Sequence, residues 1–228
     1  MLRITGKFRT LYPNARMGLI LVENIDGTSD VSGLEKAKRQ LTYKIREKYG
    51  SYTKQDLKEE SPIREYMNYY RSFKKTYHVL HQLESVAKKG KEIPSTIPLV
   101  SAMFMAELKN LLLTAGHDWD KINGDFSLDI GQGNEIYTAI NQEEKKVTEQ
   151  DMFLKDDSGV ISSVIAGPDH RTRITEKTRN ALFSIYAPEG IDSEPIMNHL
   201  KDIYYFIRLF SPNTFINSMD IHPLQRFE

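Results

Sequence analysis

The 228-residue chain contains no cysteine. That absence excludes disulfides, thiolate metal sites and cysteine nucleophiles, and it suits a reducing compartment, so a cytoplasmic protein is expected. No apolar run is long enough to span a bilayer, which excludes a membrane helix. The first stretch, MLRITGKFRTLYPNAR, is basic but lacks the apolar centre of a secretion signal. Neither sign of charge is in excess: Lys plus Arg is 31 and Asp plus Glu is 31. A domain that lives on phosphate contacts alone is usually basic, so non-specific nucleic-acid binding is not the whole function, although a local basic face is compatible with a neutral total. Repeats and low-complexity segments are absent, and the histidines are scattered, which leaves zinc without ligands at helical or hairpin spacing.

What is present reads as a soluble fold with a substantial core, in one large domain or two small ones. GLILVE (residues 18–23) is a continuous apolar run, as in a buried strand. SGLEKAKRQLTYKIREKYG follows with Leu34, Ala37, Leu41, Ile45 and Tyr49 three or four apart, an amphipathic helix that Gly50 stops. SYTKQDLKEE is polar and reads as a loop; Ser61-Pro62 then opens a second helix with Ile63, Tyr66, Met67 and Tyr70 inward. TYHVLHQLESVAKKGK reads as a third helix, its lysines near the carbonyl end. Residues 99–113 are apolar on most sides, as in a central helix.

After Gly124 the period changes to two. Phe126, Leu128 and Ile130 alternate with polar residues, and GQGN signals a hairpin to EIYTAI. DMFL and VISSVIAG flank Asp156-Asp157-Ser158-Gly159, a second hairpin. ALFSIYA is a further strand. Asp192 or Ser193 caps a last helix, and TFINSMDI is a closing strand. The order predicts an α+β fold with a mixed or antiparallel β core and packed helices. Residues 1–60 read as a strand–helix part and 61–228 as the main α+β part, in one compact unit.

GHDWDKINGD (residues 116–125) is the stretch densest in chemistry-bearing side chains, and it holds the chain's only Trp. Asp118 and Asp120 point oppositely if the segment is extended, whereas His117 and Asp120 share a side if it is helical. Mg²⁺ or Ca²⁺ would need more oxygen ligands than it supplies, so no metal is expected. The plain alternative is an Asp-rich connection between the central helix and the next strand, with Trp119 as a packed anchor and Asp120 capping a turn. DHRTRITEKTRN (residues 169–180) has the same two readings: a capped helical turn at Thr175 with solvated Arg171 and Arg173, or a functional segment.

DWDKINGD, DDSGV and RTRITEKTRNAL, taken in order with their neighbours, resemble the editing module (the third and fourth B domains) of the phenylalanyl-tRNA synthetase beta subunit, and more closely its free-standing relatives. The likeness covers roughly residues 61–210. It implies an α+β fold with a cleft between two B domains, and hydrolysis of the ester of a mischarged tRNA. Nothing resembles the synthetase's aminoacylation module, so aminoacylation is not expected. The implied partners are tRNA or aminoacyl-tRNA, or a small amino-acid-like ligand, with no cofactor and no membrane; the sequence leaves the oligomeric state open.

The resemblance places the family's cleft histidine at His117 and a pocket-wall segment near Gly167 and Asp169. The family's acidic pocket residue falls at Ser184, which can hydrogen-bond but offers no carboxylate. The free-standing relatives carry a basic, hydroxyl-rich stretch where this chain has Tyr77, His78 and Val79. In this reading His117 orients water or acts as general base. Backbone N–H groups around Gly167 hold the ester oxygen. Lys121, Arg171 and Arg173 are candidates for ribose and phosphates. Asp118 and Asp120 are candidates for the substrate's amino group, with a purely structural role the alternative for Asp120. Ester hydrolysis in trans and non-catalytic binding of tRNA or an amino-acid-like ligand both remain open.

Overall fold

The computed structural model describes residues 2–27 and 30–222. In chain order the elements are β1 (Leu2–Ile4), α1 (Gly6–Leu11), β2 (Arg16–Glu23), α2 (Ser32–Tyr49), α3 (Lys54–Glu59), α4 (Ser61–Ser72), α5 (His78–Ala87), α6 (Pro98–Asn110), β3 (Thr114–Asp118), β4 (Phe126–Ile130), β5 (Ile136–Thr138), β6 (Glu144–Lys146), β7 (Met152–Asp156), β8 (Gly159–Ser163), β9 (Gly167–Pro168), β10 (Ala181–Ala187), α7 (Ser193–Arg208) and β11 (Phe215–His222). The fold is α+β, as the pattern predicts.

Two sheets carry the architecture. One runs β1-β4-β7-β8-β9, with β1 parallel to β4 and the other pairs antiparallel; the second is antiparallel, β11-β2-β10-β3. Both contribute to one hydrophobic core. β2 and β10 are buried along nearly their whole length, which is why GLILVE and ALFSIYA read as apolar runs rather than alternating strands. Helix α7 covers one face of the four-stranded sheet: a Cβ on Gly18 would meet Ile196, and His199 bonds Thr114. The other face looks at the five-stranded sheet, where the Tyr186 hydroxyl meets Ser162.

Helix α4 ties the two sheets through its tyrosines. Tyr66 donates to the Tyr186 carbonyl at 2.7 Å, Tyr69 to Asp151 at 2.6 Å and Tyr70 to the Val164 carbonyl at 3.0 Å. Each ring buries a large apolar area while its hydroxyl finds a partner, so the burial leaves no orphaned O–H.

The structure differs from the sequence expectations at several points. SYTKQDLKEE is not all loop: α3 lies within it, started by a reciprocal cap between Thr53 and Asp56 and anchored by buried Leu57. The third helix is shorter than the stretch read as helical, running from His78 to Ala87, with Lys88 capping its carbonyl end. Helix α6 stops at Asn110, because Leu111 turns left-handed with φ 59°. That conformation normally favours Gly; here burial of the Leu111 side chain and a hydrogen bond from Tyr77 to its carbonyl (3.1 Å) hold it. β4 does not form a hairpin with the segment after GQGN. It pairs with β7, whose Met152, Phe153 and Leu154 are all buried, while β5 pairs with polar β6. β4 is largely buried and takes the apolar partner, overriding the nearer one. Around Thr175 the capped turn forms, with Thr175 accepting the Lys177 N–H and the Thr178 N–H, and it does not extend into a helix.

Candidate active site

The three segments that carry the resemblance converge on one corner. GHDWD supplies β3 and the 3-10 turn Trp119–Lys121. Asp118, not Asp120, caps that turn, accepting the Asp120 N–H at 3.3 Å and the Thr178 hydroxyl at 2.9 Å. Asp120 binds the Asn180 side-chain amide at 2.9 and 3.2 Å. Trp119 packs edge-on against Phe126. The Asp118 N–H donates to the Thr172 carbonyl at 2.7 Å, so residues 172–173 cover the outer edge of β3 at this end. Asp156 receives the Asn123 N–H, the Ser158 N–H and Arg171 at 2.8, 2.9 and 2.8 Å.

Inside this corner lies a polar chain. Asp169 accepts the Thr172 N–H and hydroxyl, and Thr172 Oγ1 lies 2.8 Å from His117 Nδ1. With the Thr172 proton on Asp169, His117 donates from Nδ1 and its Nε2 is the bare acceptor. That Nε2 is buried without a partner. Burial, and secondarily Arg171, lowers the His117 pKa to about 4, so the ring is neutral at pH 7. His117 and Ser184 lie on the same face of the four-stranded sheet, since His117 pairs with Leu182 two positions from Ser184. Both side chains are fully buried.

At the other end β3 is uncovered. There Thr114, Ala115 and Gly116 line a cavity of about 330 Å³, with Met103, Phe104 and Glu107 of α6, His78 and Gln82 of α5, and Ser163, Gly167, Pro168 and Tyr186 across from them. The size is at the lower end for small-molecule sites. Gly116 keeps the wall thin: a Cβ there would come within 2.7 Å of Ile174 Cδ1. Gly167 has φ 86° and open space where a Cβ would sit, so backbone conformation rather than crowding calls for glycine.

Glu107 is the feature that motif reading misses. Its side chain is buried, Oε2 accepts the Thr114 N–H at 3.2 Å, and Oε1 has no hydrogen-bond partner; the nearest basic nitrogen, His78 Nε2, lies 3.9 Å away. Burial raises its pKa to about 8, only partly offset by the Thr114 hydrogen bond. The signal was present, since Glu107 is the one acid in the apolar stretch 99–113.

The sequence-predicted residues therefore divide. Gly167 lines the cavity. Asp118, Asp120, Lys121 and Arg173 line a separate shallow hollow with Lys177. Asp169 and Arg171 border a third, open groove, and Arg171 is held by the Lys121 carbonyl and Asp156. His117 and Ser184 stand behind these surfaces. Among the described residues no cluster of three His, Asp or Glu side chains is arranged to hold a metal ion, and no helix is long and apolar enough to cross a membrane.

Residues 81–219, more than half of the chain, match the model of the B3/4 domain. The fold is similar to that of an N-terminal fragment of the phenylalanyl-tRNA synthetase beta-subunit from Pyrococcus horikoshii, with a TM-score of 0.51 and 12% identity. That alignment covers 98% of this chain and 54% of the other, so the chain spans about half of that fragment. No curated protein sequence matches.

Proposed function

The chain belongs to the B3/4 domain family, and on that premise we propose that it takes the aminoacyl end of an aminoacyl-tRNA, or a small aminoacyl ester, into the cavity beside β3 and hydrolyses the ester in trans. The observation that carries this reading is the lining. It is mostly apolar, it includes one buried acid, and no Lys or Arg is among the lining residues. A free amino acid would bring a carboxylate with no Lys or Arg to meet it, His78 in the lining being held neutral by burial. An amino acid whose carboxyl is masked as an ester brings only an apolar side chain and an amine.

An aminoacyl ester is already activated, so a positioned water and donors to the developing oxyanion suffice. The backbone at Gly116 and Gly167 supplies such donors, while the Thr114, Ser163 and Tyr186 hydroxyls in the wall are tied to His199, Asp151 and Ser162 and fix its shape. His117, closed off from solvent, acts as a positioning residue: through Thr172 it holds the segment that covers the neighbouring edge of β3. Lys121 and Arg173 are the cations for ribose and phosphates, with Asp118 and Asp120 beside them as turn-building acids. A protein of this kind works in the cytoplasm, where tRNA is charged.

Complete burial of His117 favours a second reading, in which the same cavity binds the aminoacyl group without cleaving it. One assay separates the two. Deacylation of a panel of mischarged tRNAs is measured with the wild type and with Ile140→Trp, which fills the mouth from an exposed position. Hydrolysis of at least one tRNA is expected, with Ile140→Trp slower by on the order of 100-fold because the ester is misplaced. Binding without cleavage leaves the second reading standing. With neither binding nor cleavage, both fail.

A further inference from the structure

We infer that Glu107 is the subsite for a primary ammonium group, and that the cavity selects ligands carrying a free amine on an apolar body. The inference rests on the proposed aminoacyl reading of the same cavity and adds the group that reads the ligand's amine.

The argument starts from what Glu107 lacks. One carboxyl oxygen is occupied by the Thr114 N–H; the other has no donor among the described residues. Buried carboxyls are ordinarily satisfied on both oxygens, so an orphaned one at a cavity wall marks a missing partner. The position is also adverse. Glu107 sits in the last turn of α6, where the carbonyl end of a helix repels negative charge. Neither Lys nor Arg lines the cavity to compensate, and Lys109, two residues on, is engaged with Asp202. A hydroxyl or amide ligand would supply one neutral hydrogen bond. An ammonium supplies a donor and the missing charge together, which is worth more in a dry site.

The apolar part of the lining sets the rest of the ligand. Met103, Phe104, Leu113, Val164 and Ile174 surround the space and suit an aliphatic or aromatic side chain. The absence of Lys and Arg from the lining, with His78 neutral, disfavours a free carboxylate in the same ligand. Binding also has a protonic signature. Free Glu107 is largely protonated at pH 7, and an incoming ammonium drives it to the carboxylate, releasing its proton. The other titratable groups facing it are His78 of α5, whose pKa burial lowers, Tyr66 and Tyr70 of α4, and Tyr77, whose pKa values burial raises. All are neutral at pH 7. His199 of α7, reached through Thr114, is kept neutral by burial as well.

The test is calorimetric titration at pH 7 with L-leucinamide, L-methioninamide and L-phenylalaninamide, each beside its N-acetyl form and the free amino acid. It is run in phosphate and in Tris to count protons, on the wild type, Glu107→Gln and Ile140→Trp, with thermal melts to show that each is folded. At least one amide should bind at least tenfold tighter than its N-acetyl form and than the free acid, with release approaching one proton. Glu107→Gln keeps an acceptor for Thr114, so the fold should persist while the preference for the amine and the proton release disappear. Two results overturn the ammonium subsite while the cavity reading survives: amine and N-acetyl forms binding equally, or Glu107→Gln retaining the preference, with Ile140→Trp abolishing binding in either case. If no probe binds the wild type, the subsite and the cavity reading fall together.

Discussion

His117 and Glu107 are both buried, and each keeps one side-chain atom without a hydrogen-bond partner. His117 lies in a corner where almost every other polar atom is spoken for: Asp169, Thr172, Asp118, Thr178, Asp156 and Arg171 bind one another across three segments far apart in sequence. Glu107 lies among apolar side chains beside open space. The comparison teaches that density of chemistry-bearing residues and availability for chemistry are different properties. A polar cluster inside a fold must satisfy itself, and doing so consumes the groups that look reactive in the sequence. A single acid in apolar surroundings finds fewer partners: the Thr114 N–H meets one oxygen of Glu107 and the other stays unmet.

The largest expected effect comes from breaking the saturated corner. Asp169→Ala leaves the Thr172 N–H and hydroxyl without their acceptor and loosens His117 behind them. A loss of about 2–4 kcal/mol is expected from unpaired buried donors, read as a lower denaturant midpoint. A change within error would mean that the corner is not the rigid element described here.

Glu107 should behave in the opposite sense. Its pKa rises from 4.5 to about 8 in the fold, so the folded state holds this proton more tightly than the unfolded chain. Its burden on stability is absent below about pH 4.5 and grows as pH climbs toward 8. Glu107→Gln should therefore be near neutral at pH 5 and stabilising by on the order of 1–3 kcal/mol at pH 8 to 9. His117 tilts the other way. Its pKa falls from 6.5 to about 4, so its contribution is fully present above pH 6.5 and is lost as pH drops toward 4. Melting temperatures of wild type and Glu107→Gln should diverge progressively as pH rises from 5 to 8 and run parallel above that; curves parallel from pH 5 to 8 would remove Glu107 as the source.

The smallest effect sharpens the comparison at its edge. Asp120 ties only to the half-exposed Asn180 amide. Asp120→Ala should cost no more than about 0.5 kcal/mol, as surface changes do. A loss of ester hydrolysis in Asp120→Ala with stability retained would instead move Asp120 into the group that handles substrate.

Local pattern alone determined a good deal. The amphipathic spacing of α2 and α4, the apolar runs of β2 and β10, the DDSG hairpin and the α+β class follow from periodicity and turn chemistry, because burial of a helix or strand face is written within one short segment. The three resembling segments were legible as well, and so was a structural part for the Asp-rich turn, although Asp118 rather than Asp120 caps it. Only the tertiary structure decided that β4 pairs with β7 instead of its neighbour, that Leu111 bends the chain where glycine would be expected, and that His117 is shut in. It also decided that Glu107 faces a cavity. Water is excluded from that carboxyl jointly by α5, α6, β3 and the β8–β9 edge, segments distant in sequence. A pKa or a pocket belongs to such an assembly of surfaces, and no window of the chain contains it.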